Sequence, residues 1–250
     1  MANIPVALQL YTVRDEIEKD FIGTLRRVAE IGYAGVEFAG YGGVSAKELK
    51  AVLTDLNLQV AAAHTGVDEL LKNPGAAIDY QLEIGNRYVV IPWMPAPKDC
   101  AGWQEEASQL NDIGAVLRRN DLQLCYHNHA HEFEMADGEH GLDLLYKFTD
   151  FQLLKAELDT YWVAKGGEDP AQYIRKYAGR VPLLHVKDMA GDAEGSFTEF
   201  GTGILKWDEI FAAAQESGVE WYIVEQDICR RPCLESVEIS FRNLQARGLA

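Results

Sequence analysis

The chain has 250 residues, 48% of them apolar, and a formal net charge of −16. A chain of this length can bury one large core without a second domain. The acidic balance argues against a nucleic-acid partner, and against a nuclease, because binding to phosphate backbones draws its affinity from clustered Lys and Arg side chains. A small-molecule substrate is therefore the better expectation.

The first five residues lack the basic start and the apolar run of a secretory signal. No stretch approaches the length of a membrane-spanning helix, so we expect a cytoplasmic protein without a membrane partner. The four cysteines are too few and too irregularly spaced for a disulfide scaffold, and we interpret them as reduced thiols. They are Cys100, Cys125, Cys229 and Cys233. The sequence leaves the oligomeric state open, with a homo-oligomer among the alternatives.

Short apolar runs alternate with segments of helical periodicity along the whole chain. This alternation is typical of parallel strands joined by crossover helices, and eight repeats predict a single-domain α/β fold, a (β/α)8 TIM barrel over residues 1–250. The predicted strands are 5–11, 34–38, 58–64, 87–92, 122–129, 153–159, 181–187 and 220–226. The predicted helices are 15–31, 45–56, 74–85, 101–119, 140–149, 169–178, 207–217 and 233–247. In the first helix an apolar stripe recurs at helical spacing from Ile17 through Phe21 to Val28.

Polar side chains cluster at the carboxyl ends of the predicted strands, where barrel enzymes carry their active sites. Side chains alternate in direction along a strand, so residues two apart share one face. By this rule the following groups face one way: Cys125, His127 and His129 in strand five; Glu157 and Asp159 in strand six; His185 and Lys187 in strand seven; Ile223 and Glu225 in strand eight. Glu37 in strand two and His64 at the end of strand three join them, so at least six strands end in polar groups on one inward face.

Each of these residues taken alone is more often a hydrogen-bonded structural group. Together they point to a site, because several carboxylates converging on a barrel mouth repel one another unless a cation or protons neutralise them. His combined with Asp and Glu is a ligand set that Mn²⁺, Mg²⁺, Co²⁺ or Zn²⁺ accepts. The absence of a thiolate among them favours Mn²⁺ or Mg²⁺ as the cofactor.

Several segments along nearly the whole chain resemble the xylose-isomerase-like TIM-barrel superfamily of sugar phosphate isomerases and epimerases. The order and spacing of the segments carry the resemblance. They are Leu8-Gln9-Leu10-Tyr11-Thr12, Gly35-Val36-Glu37-Phe38, Tyr126-His127-Asn128-His129 with Glu132-Phe133, Leu158-Asp159-Thr160, His185-Val186-Lys187-Asp188, Gly201-Thr202-Gly203 and Val224-Glu225. The resemblance implies a carbohydrate substrate.

The resemblance also implies one divalent metal held by residues from the last four strands. It places three ligands at Asp159, His185 and Glu225. The fourth is a glutamate at the end of strand five in many relatives, where this chain has His127. Either His127 replaces it or Glu132 reaches back, and we favour Glu132 as the fourth ligand.

With Glu132 as ligand, His127 and His129 are left for acid/base chemistry or substrate contacts. Glu132 and Glu225 are candidate proton carriers as metal-bound carboxylates. Lys187 is a candidate for an oxyanion or a substrate hydroxyl, with an ion pair to Glu157 or Asp159 as the alternative. Substrate contacts are expected from Gln9, Glu37, His64, Trp93 and Lys187.

The implied reaction is metal-assisted removal of a proton beside a carbonyl group, as in the isomerases and epimerases of the superfamily. The His127-Asn128-His129 segment resembles branches near the inosose dehydratases and the enzymes that eliminate groups from 3-keto sugars, so a lyase is the main alternative. A catalytically silent sugar-binding barrel is a third. The Gly201-Thr202-Gly203 loop, Arg230 and Arg231 leave a phosphorylated substrate open.

Overall fold

The computed structural model describes residues 4–250 and shows a closed barrel of eight parallel strands. Each strand pairs with the next along the chain, and the last pairs with the first, which closes the barrel. The strands are β1 (Val6–Gln9), β2 (Gly35–Phe38), β3 (Gln59–His64), β4 (Tyr88–Ile91), β5 (Gln123–His127), β6 (Leu154–Asp159), β7 (Leu183–Val186) and β8 (Trp221–Val224). All eight lie within the predicted segments, and the predicted (β/α)8 barrel is confirmed.

Eight main helices follow the strands and surround the barrel. They are α1 (Phe21–Ile31), α2 (Ala46–Asp55), α3 (Pro74–Glu83), α4 (Cys100–Arg118), α5 (Gly141–Phe148), α6 (Pro170–Lys176), α7 (Trp207–Ser217) and α8 (Cys233–Ala246). Short helices cover Leu10–Val13, Arg14–Ile17, Val67–Lys72, His131–Phe133 and Thr160–Lys165, and two small antiparallel hairpins pair Met135–Ala136 with Glu139–His140 and Asp188–Met189 with Phe197–Thr198. Within residues 4–250, none of these helices combines the length and the apolarity that crossing a bilayer requires.

The first helix differs from its prediction. The continuous helix expected over 15–31 is broken, because the short helix Arg14–Ile17 ends before α1 begins at Phe21. Asp20 causes the new start: its extended backbone leaves the helical region and its carboxylate accepts a hydrogen bond from Gly23 N at 2.9 Å. The apolar spacing alone did not distinguish one helix from two.

Alternation along the strands divides the core into two layers. In β5, Leu124 and Tyr126 pack outward beneath the helices, whereas Cys125 faces the barrel interior. The floor of the interior is apolar and includes the ring of Trp221. This ring packs against Gly35, where a Cβ atom would lie 3.1 Å from it. This apolar layer separates the polar residues of the carboxyl-terminal mouth from the amino-terminal end of the barrel, where Gln123 and Lys155 line a second cavity.

Candidate metal centre

A cavity of about 570 Å³ opens at the carboxyl ends of the strands. Its wall combines imidazoles, carboxylates and aromatic rings. The lining residues are Tyr11, Arg14, His64, Pro92, Trp93, His127, His129, Trp162, Phe197, Glu225, Asp227 and Ile228. The structure thus brings the predicted residues His64, Trp93, His127, His129 and Glu225 to one cavity.

Two groups of four residues beneath this cavity are close enough to hold a metal ion. The first, which we name the His127 set, consists of His127, Asp159, His185 and Glu225; the second, the His64 set, consists of Glu37, His64, Glu157 and His185. In each set one ligand atom per residue lies within 4.8 Å of the others. The strand register explains the convergence, since Asp159 is the direct neighbour of His185 across β6 and β7.

His185 belongs to both sets because its two ring nitrogens face opposite ways. Nδ1 lies 3.0 Å from Glu225 Oε2 and 3.6 Å from Asp159 Oδ2. Nε2 lies 2.7 Å from Glu37 Oε2 and 3.2 Å from Glu157 Oε2. A metal on Nδ1 therefore leaves Nε2–H to donate to a carboxylate, which is the usual way that proteins fix a ligating imidazole.

Asp159 is held in place from three sides. Its Oδ1 accepts a hydrogen bond from Trp162 N at 2.9 Å and so caps the helix Thr160–Lys165. Its Oδ2 lies 3.2 Å from His127 Nε2 and 3.4 Å from Lys187 Nζ. Burial opposes ionisation, but Lys187 and the hydrogen bond from His127 outweigh it and hold the pKa of Asp159 well below its ordinary value. One carboxylate oxygen thus serves the fold and the other faces the centre.

His64 and His185 have raised pKa values, the opposite of the shift at Asp159. Burial lowers the pKa of His64, yet the carboxylates of Glu37 and Glu157 outweigh it and raise that pKa to about 10. For His185 the same opposition between burial and the carboxylates, Glu157 first among them, leaves the pKa well above its ordinary value. Protons on these imidazoles and a divalent cation are alternative ways to balance the same buried negative charge.

Lys187 is fully paired. Its ammonium lies 2.7 Å from Asp227 Oδ1 and 2.9 Å from Glu225 Oε2, in addition to its contact with Asp159. Burial lowers the pKa of Lys187, and the carboxylates raise it well above the ordinary value. Of the two ion pairs considered from the sequence, the structure shows the one to Asp159. Lys187 therefore keeps its proton and is a fixed positive charge beside the centre.

The donor set fits a divalent cation. The His127 set offers two imidazole nitrogens and two carboxylates, without a thiolate, and all four residues are buried. Such mixed nitrogen and oxygen ligands suit Mn²⁺, Co²⁺ or Zn²⁺ better than Mg²⁺, which prefers oxygen ligands alone. Its carboxylates, Asp159 and Glu225, provide the negative charge that a cation requires.

Glu132 lies apart from the His127 set, contrary to the favoured expectation for the fourth ligand. Its Oε1 accepts a hydrogen bond from the Tyr126 hydroxyl at 2.6 Å and its Oε2 accepts one from His129 N at 2.8 Å. Tyr126 faces outward from β5, so the carboxylate of Glu132 is drawn to the opposite side of the strand from the inward-facing His127. His127 takes the place in the cluster that we had given to Glu132.

His129 is the one imidazole of the cavity wall whose Nδ1 is buried without a hydrogen-bond partner among the described residues. Its ring lies 4.8 Å from that of His127 and 5.1 Å from that of Trp162, measured between centroids. Burial, followed by the nearby His127, lowers the pKa of His129 to about 3. A neutral imidazole therefore lines the cavity, with its Nδ1 enclosed in the wall.

The remaining predicted substrate contacts are divided between the rim and the interior. Trp93 stands at the rim with 55% of its surface exposed. Gln9 and Glu37 are fully buried beneath the cavity, and Gln9 Oε1 accepts a hydrogen bond from Tyr11 N at 3.0 Å. Sequence reasoning missed Trp162 and Phe197. Trp162 directly follows β6 and was detectable by position, whereas Phe197 enters from the hairpin after β7, which has no periodic signal.

The backbone N–H groups of the glycine loop after β7 donate hydrogen bonds within the protein. Gly201 N and Gly203 N donate to Asp188 Oδ2 at 2.9 and 3.1 Å, so these backbone groups face a buried carboxylate. Arg230 pairs with Asp192 at 2.6 Å and Arg231 pairs with Glu199 at 3.0 Å. The three features that had left a phosphate site open are therefore engaged with the protein itself.

Arg14, the cavity-lining arginine, is also engaged. Its guanidinium donates to Tyr11 O at 2.8 Å and Asp227 O at 2.9 Å, and it lies over the Tyr11 ring. Glu225 and Asp227 place negative charge on the same wall. Charge and hydrogen bonding at this cavity suit an uncharged ligand better than an anion.

Comparisons with known proteins show the family and the fold. Residues 25–238 of the chain match the family of xylose isomerase-like TIM barrels. An inosose dehydratase of Clostridium beijerinckii is 26% identical, over 84% of this chain and 83% of that protein. The crystal structure of a sugar phosphate isomerase/epimerase from Parabacteroides distasonis superposes with a TM-score of 0.88 at 26% identity, covering 100% of this chain and 96% of that one.

A more distant neighbour contains a metal. The crystal structure of the IolI protein with a zinc atom superposes with a TM-score of 0.79, covering 98% of each chain. Its sequence is 11% identical to this chain, so the similarity concerns the fold alone.

Proposed function

The chain belongs to the xylose isomerase-like TIM-barrel family and is an enzyme, and we propose that it is a metal-dependent lyase that dehydrates an uncharged keto sugar or keto cyclitol. The observation that carries the proposal is the His127 set, which lies next to the neutral imidazole of His129 in the cavity wall. This arrangement supplies a base, a site for a cation and a fixed ammonium around one cavity.

The His127 set would hold the cation. Bound there, a divalent ion would supply Lewis-acid stabilisation of the negative charge that develops when a proton leaves the carbon beside a carbonyl. We place Mn²⁺ first. Co²⁺ and Zn²⁺ follow, ahead of Mg²⁺, because two of the four ligands are imidazoles. The zinc atom of the similarly folded IolI protein supports including Zn²⁺ among the ions tested.

His129 is the proposed base. Its neutral ring lines the cavity and can accept a proton from carbon, and the ring lies between those of His127 and Trp162. Its backbone is anchored independently, since His129 N donates to Glu132. Glu132 therefore supports the base from outside the metal site.

Lys187 is proposed to act through its charge. Since three carboxylates hold its ammonium in place, Lys187 can offset negative charge on a substrate oxygen without giving up its proton. The aromatic residues Trp93, Trp162 and Phe197 supply apolar surface for the carbon-bound hydrogens of a sugar or cyclitol ring.

We propose an uncharged substrate and not a sugar phosphate. The loop amides and the arginines near the mouth already have partners, and the cavity carries carboxylates. The inosose dehydratase similarity then favours elimination of water, because loss of the proton and of a hydroxyl on the next carbon gives an enone and one water molecule.

An isomerase or epimerase is the second candidate, supported by the similarity to the Parabacteroides distasonis protein across the whole chain. It would share the first step and return the proton to carbon. The complete His127 set removes the feature that had favoured a silent sugar-binding barrel, which was the missing ligand at strand five.

The experiment that tests the proposal incubates Mn²⁺-loaded protein in D₂O with an inosose, with an uncharged ketose and with a phosphorylated ketose. We expect enone absorbance with the inosose and no turnover of the phosphorylated ketose. If deuterium enters the recovered ketose and no enone forms, the protein is an isomerase or epimerase and not a lyase. Turnover of the phosphorylated ketose alone would refute the uncharged substrate.

A further inference from the structure

The loop after β8 places a carboxylate on the cavity wall beside the metal centre. The loop begins at Glu225, and Glu225, Asp227 and Ile228 all line the cavity. Glu225 belongs to the His127 set, whereas Asp227 belongs to neither of the two sets found within residues 4–250. The side chain of Asp227 keeps 23% of its surface exposed. Asp227 therefore presents to the cavity a carboxylate that the proposed metal site does not use.

The backbone and the side chain of Asp227 are both held in place. Arg14 Nη2 donates to Asp227 O at 2.9 Å. Gln226 N, one residue earlier, donates to Thr12 Oγ1 at 3.0 Å. The ammonium of Lys187, whose side chain is 1% exposed, donates to Asp227 Oδ1 at 2.7 Å. Contacts from the segments after β1 and β7 thus fix this carboxylate before a ligand arrives, which lowers the entropic cost of binding.

One oxygen of the carboxylate is left for a ligand. Oδ1 is the atom that contacts Lys187, whereas Oδ2 of Asp227 accepts no hydrogen bond from the side chains and backbone of residues 4–250. Oδ2 is not one of the enclosed polar atoms that lack a partner in this range, so it is accessible, on a residue that borders the cavity. Such an oxygen accepts a hydrogen bond from a hydroxyl group and repels a phosphate or carboxylate group.

Asp227 and the proposed base come from different sides of the mouth. Two strands, β6 and β7, lie between β5, which His129 follows, and β8, which Asp227 follows. The Lys187 ammonium contacts Glu225 Oε2 at 2.9 Å as well as Asp227 Oδ1, so a metal ligand and Asp227 flank one positive charge. A sugar or cyclitol ring carries hydroxyl groups around its edge, so a ring that reaches His129 presents other hydroxyls toward Asp227.

We propose that Asp227 is the residue that selects a substrate with a free hydroxyl group on the side of the ring away from the base. Its Oδ2 accepts the hydrogen bond of this hydroxyl while Lys187 holds Oδ1. The assignment rests on the proposed function, because it takes the substrate to be an uncharged polyol. A polyol that lacks this hydroxyl leaves the carboxylate without its partner, and a phosphate ester at the same position meets a negative charge.

Binding of unreactive polyols tests the contact without turnover. Mn²⁺-loaded protein is titrated calorimetrically with myo-inositol and with its monodeoxy derivatives, which have no carbonyl group. We expect one derivative to bind about 10–100-fold more weakly than myo-inositol, as for loss of a hydrogen bond to a charged group. Asp227→Ala should bind the two ligands alike. Asp227→Asn, whose amide oxygen can still contact Lys187, should retain a reduced preference.

Asp192→Asn is the matched control, since Asp192 is an ion-paired aspartate of the neighbouring loop that does not line the cavity. It should keep the full preference for myo-inositol. The proposal is overturned if Asp227→Ala weakens all these polyols equally, as loss of a structural residue would, or if the preference survives in that variant.

Enone formation from the inosose, measured on the same samples, reports the proposed reaction separately. If no enone forms while the preference depends on Asp227, the lyase is refuted and the role of Asp227 stands. If enone forms and the unsubstituted protein binds all the derivatives as tightly as myo-inositol, the role of Asp227 alone is refuted.

Discussion

The His127 set and the His64 set each combine two imidazoles with two carboxylates and share His185, yet they meet the cavity differently. His127 and Glu225 of the first set line the cavity. In the second set only His64 does, while Glu37 and Glu157 are completely buried. We therefore propose two roles for the same ligand chemistry: the His127 set is open to a substrate in the cavity, and the His64 set supports it from beneath.

The supporting role follows from His185. With its Nδ1 toward Glu225 and Asp159, its Nε2 is fixed by Glu37 at 2.7 Å. His64 lies 2.8 Å from Glu157 and compensates the charge of that carboxylate. We therefore expect substitutions in the His127 set to remove metal and substitutions in the His64 set to weaken its binding.

The largest effect is expected from Asp159→Asn and Glu225→Gln. Each keeps the shape of the side chain, and Asn at position 159 can still cap the following helix, but a charged ligand is lost. Metal affinity should fall more than about 100-fold, since even outer-layer substitutions cost 10–100-fold. Metal content after dialysis measures the loss. The exposed Glu134→Gln is the matched control, and full occupancy in either ligand variant would disprove the assignment.

His129→Ala should separate chemistry from metal binding. We expect metal content and melting temperature close to those of the unsubstituted protein, with proton exchange at carbon reduced by about 10²–10⁴-fold, the usual contribution of a general base. Enone formation from the inosose, together with deuterium incorporation into the unreacted inosose, measures the rate. His131→Ala is the control, because the ring of His131 lies 5.8 Å from that of His129 and its Nε2 contacts Met94 O. Unchanged exchange would move the base to a carboxylate.

Glu37→Gln and His64→Ala should weaken metal binding by about 10–100-fold while leaving a measurable site, as expected for groups that orient a ligand. Titration with Mn²⁺ gives the affinities. His140→Ala, which breaks an imidazole–carboxylate pair to Glu168 outside the barrel, controls for loss of a histidine. A loss as large as that of Asp159→Asn would place the metal in the His64 set.

Glu132→Gln should give the smallest effect on the metal. The variant weakens two hydrogen bonds to a buried carboxylate, so we expect a loss of about 1–3 kcal/mol in the free energy of unfolding with metal retained. Denaturant titration and metal analysis of the same samples test both parts. His127→Ala is the comparison and should lose more metal; the reverse order would return the ligand role to Glu132.

Much of this site follows from strand periodicity. Since side chains alternate strictly along β6 and β7, Asp159 and His185 could be placed on one face before any coordinates, and barrel closure then brings Glu225 beside them. The same rule places Tyr126 and His127 on opposite faces of β5. The eight strands and the helices after them were predictable for the same reason.

The differences from the sequence-based expectations lie where periodicity ends. Glu132 belongs to a short helix after β5, and the direction of its carboxylate depends on the outward-facing Tyr126, a contact that sequence spacing does not encode. Phe197 reaches the cavity through a hairpin that pairs Asp188–Met189 with Phe197–Thr198. Asp20 is a residue type that favours the start of a helix, and it marks the break before α1. The apolar stripe continues across this break, so the periodicity indicated one helix.

Lys187 and Asp188 are adjacent, but they serve opposite sides of the chain. The ammonium of Lys187 faces the metal centre, and the carboxylate of Asp188 accepts hydrogen bonds from four backbone N–H groups and from Trp207 Nε1. One peptide unit therefore joins the charge at the centre to the loop that follows β7. We expect a sequence change that loosens residues 201–205 of this loop to shift the ammonium as well, although none of these residues lines the cavity.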